Sequence, residues 1–344
     1  MSPFSAVADS LGRRAHVAAG LVRALALSSL VRLAERAVPG PPPPPPSPEA
    51  ERELSKRLIA LLEDDWQDVR DGVLPAPSLA MPWLGYAAAL PELLADLPAV
   101  RARIRSRRKT ELAPEAQPWR YPRYYARNFH WQSEGWLGHK SARLYDLQVE
   151  LVFGGTADAM RRRMVPPVVR FARSRPGAPL RLLDVACGTG RLLRMLGGAL
   201  PGVRLTGVDL SPFYVSFARA ALPRELDVSL VCENAESLPF PDGHFDATTC
   251  LYLFHELPPK VRSRVMSELA RVTRPGGLVV VGDSLQLADA PALRGVLQAF
   301  PGRYHEPFYA SFIREDLGGR MEDAGMRVLS VRQAFLTKIA VSVR

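Results

Sequence analysis

In this chain of 344 residues the stretch from Leu180 to Asp209 constrains the fold more than any other. The apolar run Leu182, Leu183 and Val185 leads into Cys187-Gly188-Thr189-Gly190. A helical pattern follows, and a second apolar run from Val203 ends in Asp209. Strand, glycine turn, helix, strand and acid, in that order, make the first half of a nucleotide-binding parallel sheet. Glycine at 188 and 190 lets the backbone turn tightly and approach a ligand closely. The first N–H groups of the following helix point at that ligand. Asp209, at the carboxyl end of the second strand, can accept hydrogen bonds from two ribose hydroxyls. A glycine turn and a distant acid would also suit NAD, but Leu193 stands where G-x-G-x-x-G has its third glycine.

Beyond residue 180 apolar runs and helical patterns alternate, which predicts a parallel sheet with helices on both faces. The pattern places strands near 180–186, 203–209, 227–232, 245–253, 276–283, 326–332 and 335–343. Helices are expected near 190–199, 212–221, 258–272 and 311–324. The last two strands are joined too tightly for a helical crossover, so they form an antiparallel hairpin.

Three stretches together carry a resemblance. Asp184-Val-Ala-Cys-Gly-Thr-Gly190 resembles the D/E-x-x-x-G-x-G motif of the class I S-adenosylmethionine (SAM)-dependent methyltransferases. The run from Asn234 to Asp246, with Leu238-Pro239-Phe240 inside it, is similar to the D-A-x-x-L-P-F-x-x-x-x-F-D stretch of the quinone, sterol and small-molecule members. Arg274-Pro275-Gly276-Gly277 matches their turn into the fifth strand. The resemblance covers about residues 176–344. It implies an α/β fold with a Rossmann-like class I methyltransferase sheet, parallel with a C-terminal antiparallel hairpin, and SAM as cofactor. It further implies that SAM is held by Asp184, Ala186, Gly188, Gly190, Asp209, Leu210, Asn234, Ala235 and Leu251. Where the family has an Asp that bonds the adenine amino group, this chain has Asn234, whose side-chain oxygen can still accept.

Candidates for chemistry lie beyond the strand ends. His255, after the fourth strand, has a suitable unperturbed pKa for a general base. It could equally cap the next helix or bond the loop. Glu256 beside it is expected at the surface. An insertion over 284–310 carries Tyr304-His305-Glu306-Pro307-Phe308-Tyr309, in which His305 and Tyr309 are further candidates. The aromatic concentration over 119–145 must be buried or line a pocket. Most of it reads as a packed cap, with Tyr124, His130, Trp131 and Tyr145 as a substrate lid. Tyr145-Asp146 resembles the Tyr-Asp pair that precedes the first motif in methyltransferases of quinone and lipid pathways.

The front of the chain matches no recognised module. Residues 1–40 read as a helical appendage (helix over 11–38), 41–48 as a polyproline linker, 49–175 as a helical cap and 176–344 as the SAM-binding domain. Ser47 is a candidate N-cap for a helix over 48–72. Pro82, Pro91 and Pro98 are expected to break residues 73–100 into short helices. A helix over 156–174 should keep Arg161–Arg163 on its solvated side. Arg23 interrupts the only long apolar run of the first helix, which makes it a poor transmembrane span. A loose membrane contact through residues 1–40 or, in a eukaryote, an organelle transit peptide remains open. Cytoplasmic placement, with or without membrane association, is the expectation.

Of the formal net charge of +10, residues 1–180 carry +8. That excess raises RNA or protein as acceptor, yet no nucleic-acid motif, N-P-P-Y signature or cysteine constellation accompanies it. Cys187, Cys232 and Cys250 lie far apart and read as reduced thiols inside a core, without metal. The residues thus point to a SAM-dependent methyltransferase for a small, apolar, aromatic or lipid-like acceptor. A non-catalytic SAM-binding protein of regulatory or structural role is the alternative.

Overall fold

The computed structural model describes residues 3–36, 45–106, 108–112, 114–177 and 179–344. Residues 41–44 of the expected linker, and the side chain of Trp131, lie outside what is described.

The front is helical. α1 (Pro3–Arg36) lies on α2 (Pro48–Arg70), where His16 packs against Trp66 and the Trp66 indole N–H bonds Asp9 at 3.1 Å. The appendage expected from the sequence is therefore seated on its neighbour. α2 starts as the sequence indicates: the Ser47 hydroxyl accepts from the Ala50 N–H at 3.2 Å, and Pro48 occupies the first turn. α3 (Trp83–Ser106) runs straight through Pro91 and Pro98 instead of breaking. The carbonyls those prolines leave unpaired belong to Ala87 and Leu94, both at the exposed surface, where water can satisfy them. α4 (His139–Val152) follows the aromatic segment, then α5 (Ala157–Arg162) and α6 (Val165–Arg173). The single helix expected over 156–174 is thus two.

Arg161 and Arg162 are buried and Arg163 largely so, not solvated, because an acid meets each of them. Arg162 makes a forked contact with Asp65 of α2, and Arg163 reaches Asp65 at 2.7 Å and Asp68 at 2.6 Å. Arg161 and Arg191 converge on Asp158. Glu150 accepts the N–H groups of Ala157 and Asp158 at the start of α5. Sequence periodicity registers only the helix face, and partners distant in the chain decide whether a charge on that face is buried.

The sheet follows. β1 (Arg181–Val185), α7 (Arg191–Ala199), β2 (Arg204–Asp209), α8 (Pro212–Ala221), β3 (Val228–Cys232), β4 (Phe245–Leu251), α9 (Pro259–Val272) and β5 (Thr273–Ser284) alternate as the sequence predicts. The insertion after β5 holds its own helix, α10 (Arg294–Tyr304). The helix expected over 311–324 is split into α11 (Tyr309–Phe312) and α12 (Leu317–Asp323). β6 (Arg327–Ala334) and β7 (Thr337–Val343) form the hairpin, with Phe335 in the left-handed region at φ 54°. Strand order is β3-β2-β1-β4-β5-β7-β6, with β7 antiparallel between β5 and β6. Leu182, Leu183 and Val185 of β1 are all buried, as a central parallel strand covered on both faces requires. The order reverses between β1 and β4, which puts a ligand crevice outside their carboxyl ends. Cys187 and Cys250 are buried in this core, but Cys232 is exposed, contrary to expectation. Among the described residues no helix is long and apolar enough to cross a membrane.

Candidate active site

A cleft of about 750 Å³ opens at that switch point. Its floor is the glycine turn and the strand ends. Ala186 (φ 58°) and Gly188 (φ 53°) turn the backbone, and a Cβ on Gly188 would meet only the Tyr214 ring, at 4.0 Å. The Gly188 N–H donates to Asp209 Oδ2 and the Ser211 N–H to Oδ1, both at 2.9 Å. Among the described residues no cation neutralises this carboxylate, and burial pushes its pKa up to about 6. Each oxygen keeps a lone pair for the cleft. Leu210, Asn234, Ala235 and Leu251 also line it. Asn234 Oδ1 accepts from the Glu236 N–H at 3.0 Å.

Two of the expected cofactor residues stand elsewhere. Asp184 is buried against β4, where the Thr249 hydroxyl donates to it at 2.7 Å, and burial raises its pKa to about 7. Gly190 begins α7, where a Cβ would meet Leu222 at 3.2 Å; it serves the turn and its packing.

The cap closes the cleft from above with Tyr124, Tyr125, Trp136 and Tyr145. Trp136 is the hub of this cap: its indole packs against Phe129, His130, Tyr145 and Tyr214 at centroid distances of 5.4–5.8 Å. Its buried Nε1–H has no hydrogen-bond partner. The Thr189 hydroxyl donates to Asp146 at 2.9 Å and ties α4 to the glycine turn. Trp119, by contrast, is 79% exposed and takes no part in the cap.

A second cavity lies under α10. Val149, Phe153, Val296, Leu297, Phe300 and Leu336 give it an apolar wall, and His130, His255, Ser284 and Tyr309 its polar groups. Tyr145, Tyr252 and Glu256 belong to both spaces. Tyr252, at φ 56°, is held by a 2.6 Å bond between its hydroxyl and Thr337. Ala186, His130, Tyr252 and His305 (φ 53°) all take left-handed conformations around the site, a concentration of backbone strain typical of functional regions.

The polar side of this cavity is built on Asp283, at the end of β5. Its Oδ1 lies 2.7 Å from His255 Nδ1, and its Oδ2 accepts the N–H groups of Phe254 and His255 at 2.8 and 3.3 Å. Burial alone would push the imidazole down. The carboxylate of Asp283, with Glu306 and Glu256 further off, outweighs it and raises the pKa to about 10. The raised pKa favours the imidazolium over the neutral ring that a resting general base needs. Glu256, expected at the surface, is largely buried, with Nε2 of His255 3.9 Å away. Burial, with Glu306 and Asp283 nearby, raises its pKa well above the carboxylate range. Tyr309 bonds Ser284 at 2.6 Å, and His130 Nε2 lies 2.8 Å from the buried Glu306. His305 is buried at the end of α10 and lines neither space.

Of the residues the sequence reading missed, Tyr125 and Trp136 lay inside the aromatic concentration it singled out. Tyr214 lies in the helix expected over 212–221 and was not singled out. Glu256 and Tyr252 had no sequence signal, because a short turn after β4 aims them.

The donor set fits SAM. Asp209 offers a desolvated carboxylate for a diol, Asn234 an amide for a purine edge, and Trp136 a buried donor without an acceptor. Residues 182–277 match the family model described as "Methyltransferase domain". The chain is 38% identical over 138 residues to demethylmenaquinone methyltransferase of Thermus thermophilus, covering 40% of this chain and 59% of that protein. To the ubiquinone/menaquinone biosynthesis C-methyltransferase UbiE of Methylobacterium nodulans it is 32% identical, covering 47% and 63%. To 2-methyl-6-phytyl-1,4-hydroquinone methyltransferase of Synechocystis sp. it is 30% identical, covering 42% and 46%. The chain thus spans about half to under two thirds of the length of these curated relatives. The glycine turn, the acid at 209, the sheet order with its antiparallel β7 and the family match together identify the C-terminal half of the chain as a class I SAM-dependent methyltransferase domain.

Proposed function

We propose that this protein transfers a methyl group from SAM to an aromatic, quinone-like acceptor bound in the second cavity. The observation that carries the reading is the junction: Tyr145, Tyr252 and Glu256 are walls of both spaces. Methyl transfer is an in-line displacement, so its protein needs to align two reactants and keep water out. Two spaces that share three wall residues meet that need.

When bound, SAM supplies a methyl group already activated on a sulfonium. Everything else is the work of the chain. Asp209 takes the ribose hydroxyls and Asn234 the adenine edge. Ala186, Gly188 and Leu251 bring backbone close to the rest of the cofactor. In the second cavity the apolar wall receives a ring and an apolar substituent. The His255 imidazolium attracts an acceptor oxygen as its anion, and the negative charge on that oxygen makes the adjoining ring carbon nucleophilic. Tyr309 and Ser284 orient the same edge, and His130 and Tyr145 cover it. The relatives' names include quinones and a hydroquinone, which supports a ring acceptor of this chemistry.

The test is transfer of tritiated methyl from SAM to a reduced naphthoquinol with a short side chain, read in the organic extract. Transfer is expected, and His255→Gln should lower its rate by about 100-fold or more, as loss of a fixed charge at a reacting oxygen does, with SAM affinity unchanged. A protein that binds SAM but methylates no ring acceptor would overturn the acceptor assignment.

A further inference from the structure

α3 is built inside out. Its exposed positions between 83 and 99 are Trp83, Leu84, Gly85, two alanines at 87 and 88, Leu90, Pro91, Leu94, Ala95, Pro98 and Ala99, and none is charged. Leu84 is 89% and Leu94 55% exposed. The charges of this stretch lie off that face, Asp96 buried and Glu92 at its flank. Glu92 makes a two-pronged contact with Arg143 at 2.6 and 3.0 Å, and Asp96 meets Lys140 at 2.8 Å and Ser133 at 2.6 Å. A surface helix ordinarily does the reverse.

α1 repeats the inversion. Over residues 15–26 its exposed positions are alanines with Val22 and Leu25, the latter 66% exposed, while Arg23 turns inward. Both helices pack on α4. Scattered exposed apolar residues need no explanation, but two continuous faces do. Basic residues border them: Arg13 and Arg14 on α1, and Arg105, Arg108 and Lys109 at the far end of α3, all exposed. No acidic residue shares the exposed positions of α3.

We propose that the outer faces of α3 and α1 dock on an anionic lipid bilayer. The apolar faces enter the interface, and the arginines and lysine at their ends meet lipid phosphates. Charge complementarity selects this occupant: Arg13 and Arg108 are paired at the surface with Glu63 and Glu111, but a purely apolar partner would leave the exposed Arg14, Arg105 and Lys109 unanswered beside an α3 face that carries no acid. The absence of a spanning helix among the described residues is consistent with a chain that lies on the membrane. The docking stands independently of the acceptor proposed above.

The experiment is flotation of the full chain with vesicles of phosphatidylcholine alone and with about one third phosphatidylglycerol. The chain is expected to float with the anionic vesicles and to be released by high salt. The pair Leu84→Glu with Leu94→Glu should cut partitioning by at least about tenfold, since each removes a large apolar side chain from the contact. Both sites are at the surface, so circular dichroism and the unfolding midpoint should not change. Arg105→Gln with Lys109→Gln should weaken binding to anionic vesicles only. Failure to float, or flotation indifferent to the leucine pair, overturns the proposal. So does a dimer in solution that the leucine pair dissociates, because the face would then belong to a second copy.

Discussion

Replacing Asp283 by Asn tests the electrostatics of the site through protein stability. In the native protein His255 holds its proton up to about pH 10, against an ordinary value of 6.5, because Asp283 Oδ1 lies 2.7 Å from its Nδ1. A group whose pKa is raised by folding stabilises the folded state most below its unfolded pKa, and that contribution is lost as pH rises through the folded value. At about 1.4 kcal/mol per pH unit, the native protein should lose roughly 3–4 kcal/mol from this group between pH 6.5 and 9.5. In Asp283→Asn the main opposing charge is gone and burial pulls the imidazole to 6.5 or below. That loss should then be absent. Urea unfolding followed by circular dichroism at several pH values gives the two curves, and other titrating groups cancel in their difference. The His255 Cε1 shift should show a neutral ring in the variant at pH 8 and a charged one in the native protein. Parallel stability curves, within about 1 kcal/mol, would refute the assignment of His255 as an imidazolium and restore it as a candidate base.

Other perturbations probe the remaining parts. Asp184 is buried with its pKa raised to about 7, so its ionisation opposes folding increasingly as pH rises from about 4 to 7. Asp184→Asn should be more stable than the native protein by roughly 2–4 kcal/mol at pH 8 and equal to it near pH 4, as measured by urea unfolding. Asp65→Ala removes the acid onto which Arg162 forks and one of the two acids that Arg163 meets and should cost roughly 3–5 kcal/mol, read as a lowered denaturation midpoint. Phe300→Ala opens only the second cavity, so it should raise KM for a ring acceptor while the calorimetric affinity for SAM stays as it was.

Much of the fold was legible because its signals are local. The Leu182–Asp209 stretch sets strand, turn and helix through side-chain period and glycine. The tight Phe335–Leu336 connection dictates the hairpin. The floor of the cleft was legible for the same reason, since Ala186, Gly188, Asp209 and Asn234 sit at strand ends. What escaped depends on partners far away in sequence. Arg161–Arg163 look solvated until Asp65 and Asp68 of α2 arrive. α3 looks broken until its prolines are found on the outer face. Asp184 carries the motif, yet its side chain turns to Thr249. His255 has an ordinary pKa on paper, and only the register of β5, which sets Asp283 beside it, makes it a cation. Glu256 and Tyr252 are aimed by one short turn that no periodicity reports.

The central claim is that the cleft at the switch point between β1 and β4 holds SAM through Asp209. Calorimetric titration of SAM into the native protein and into Asp209→Ala tests it directly. Hydrogen bonds to a buried carboxylate are worth about 1.5–3 kcal/mol each, and two are lost, so the account predicts one binding event in the native protein, weakened roughly 100- to 10,000-fold in the variant. No binding to the native protein, or equal affinity in both, would contradict it.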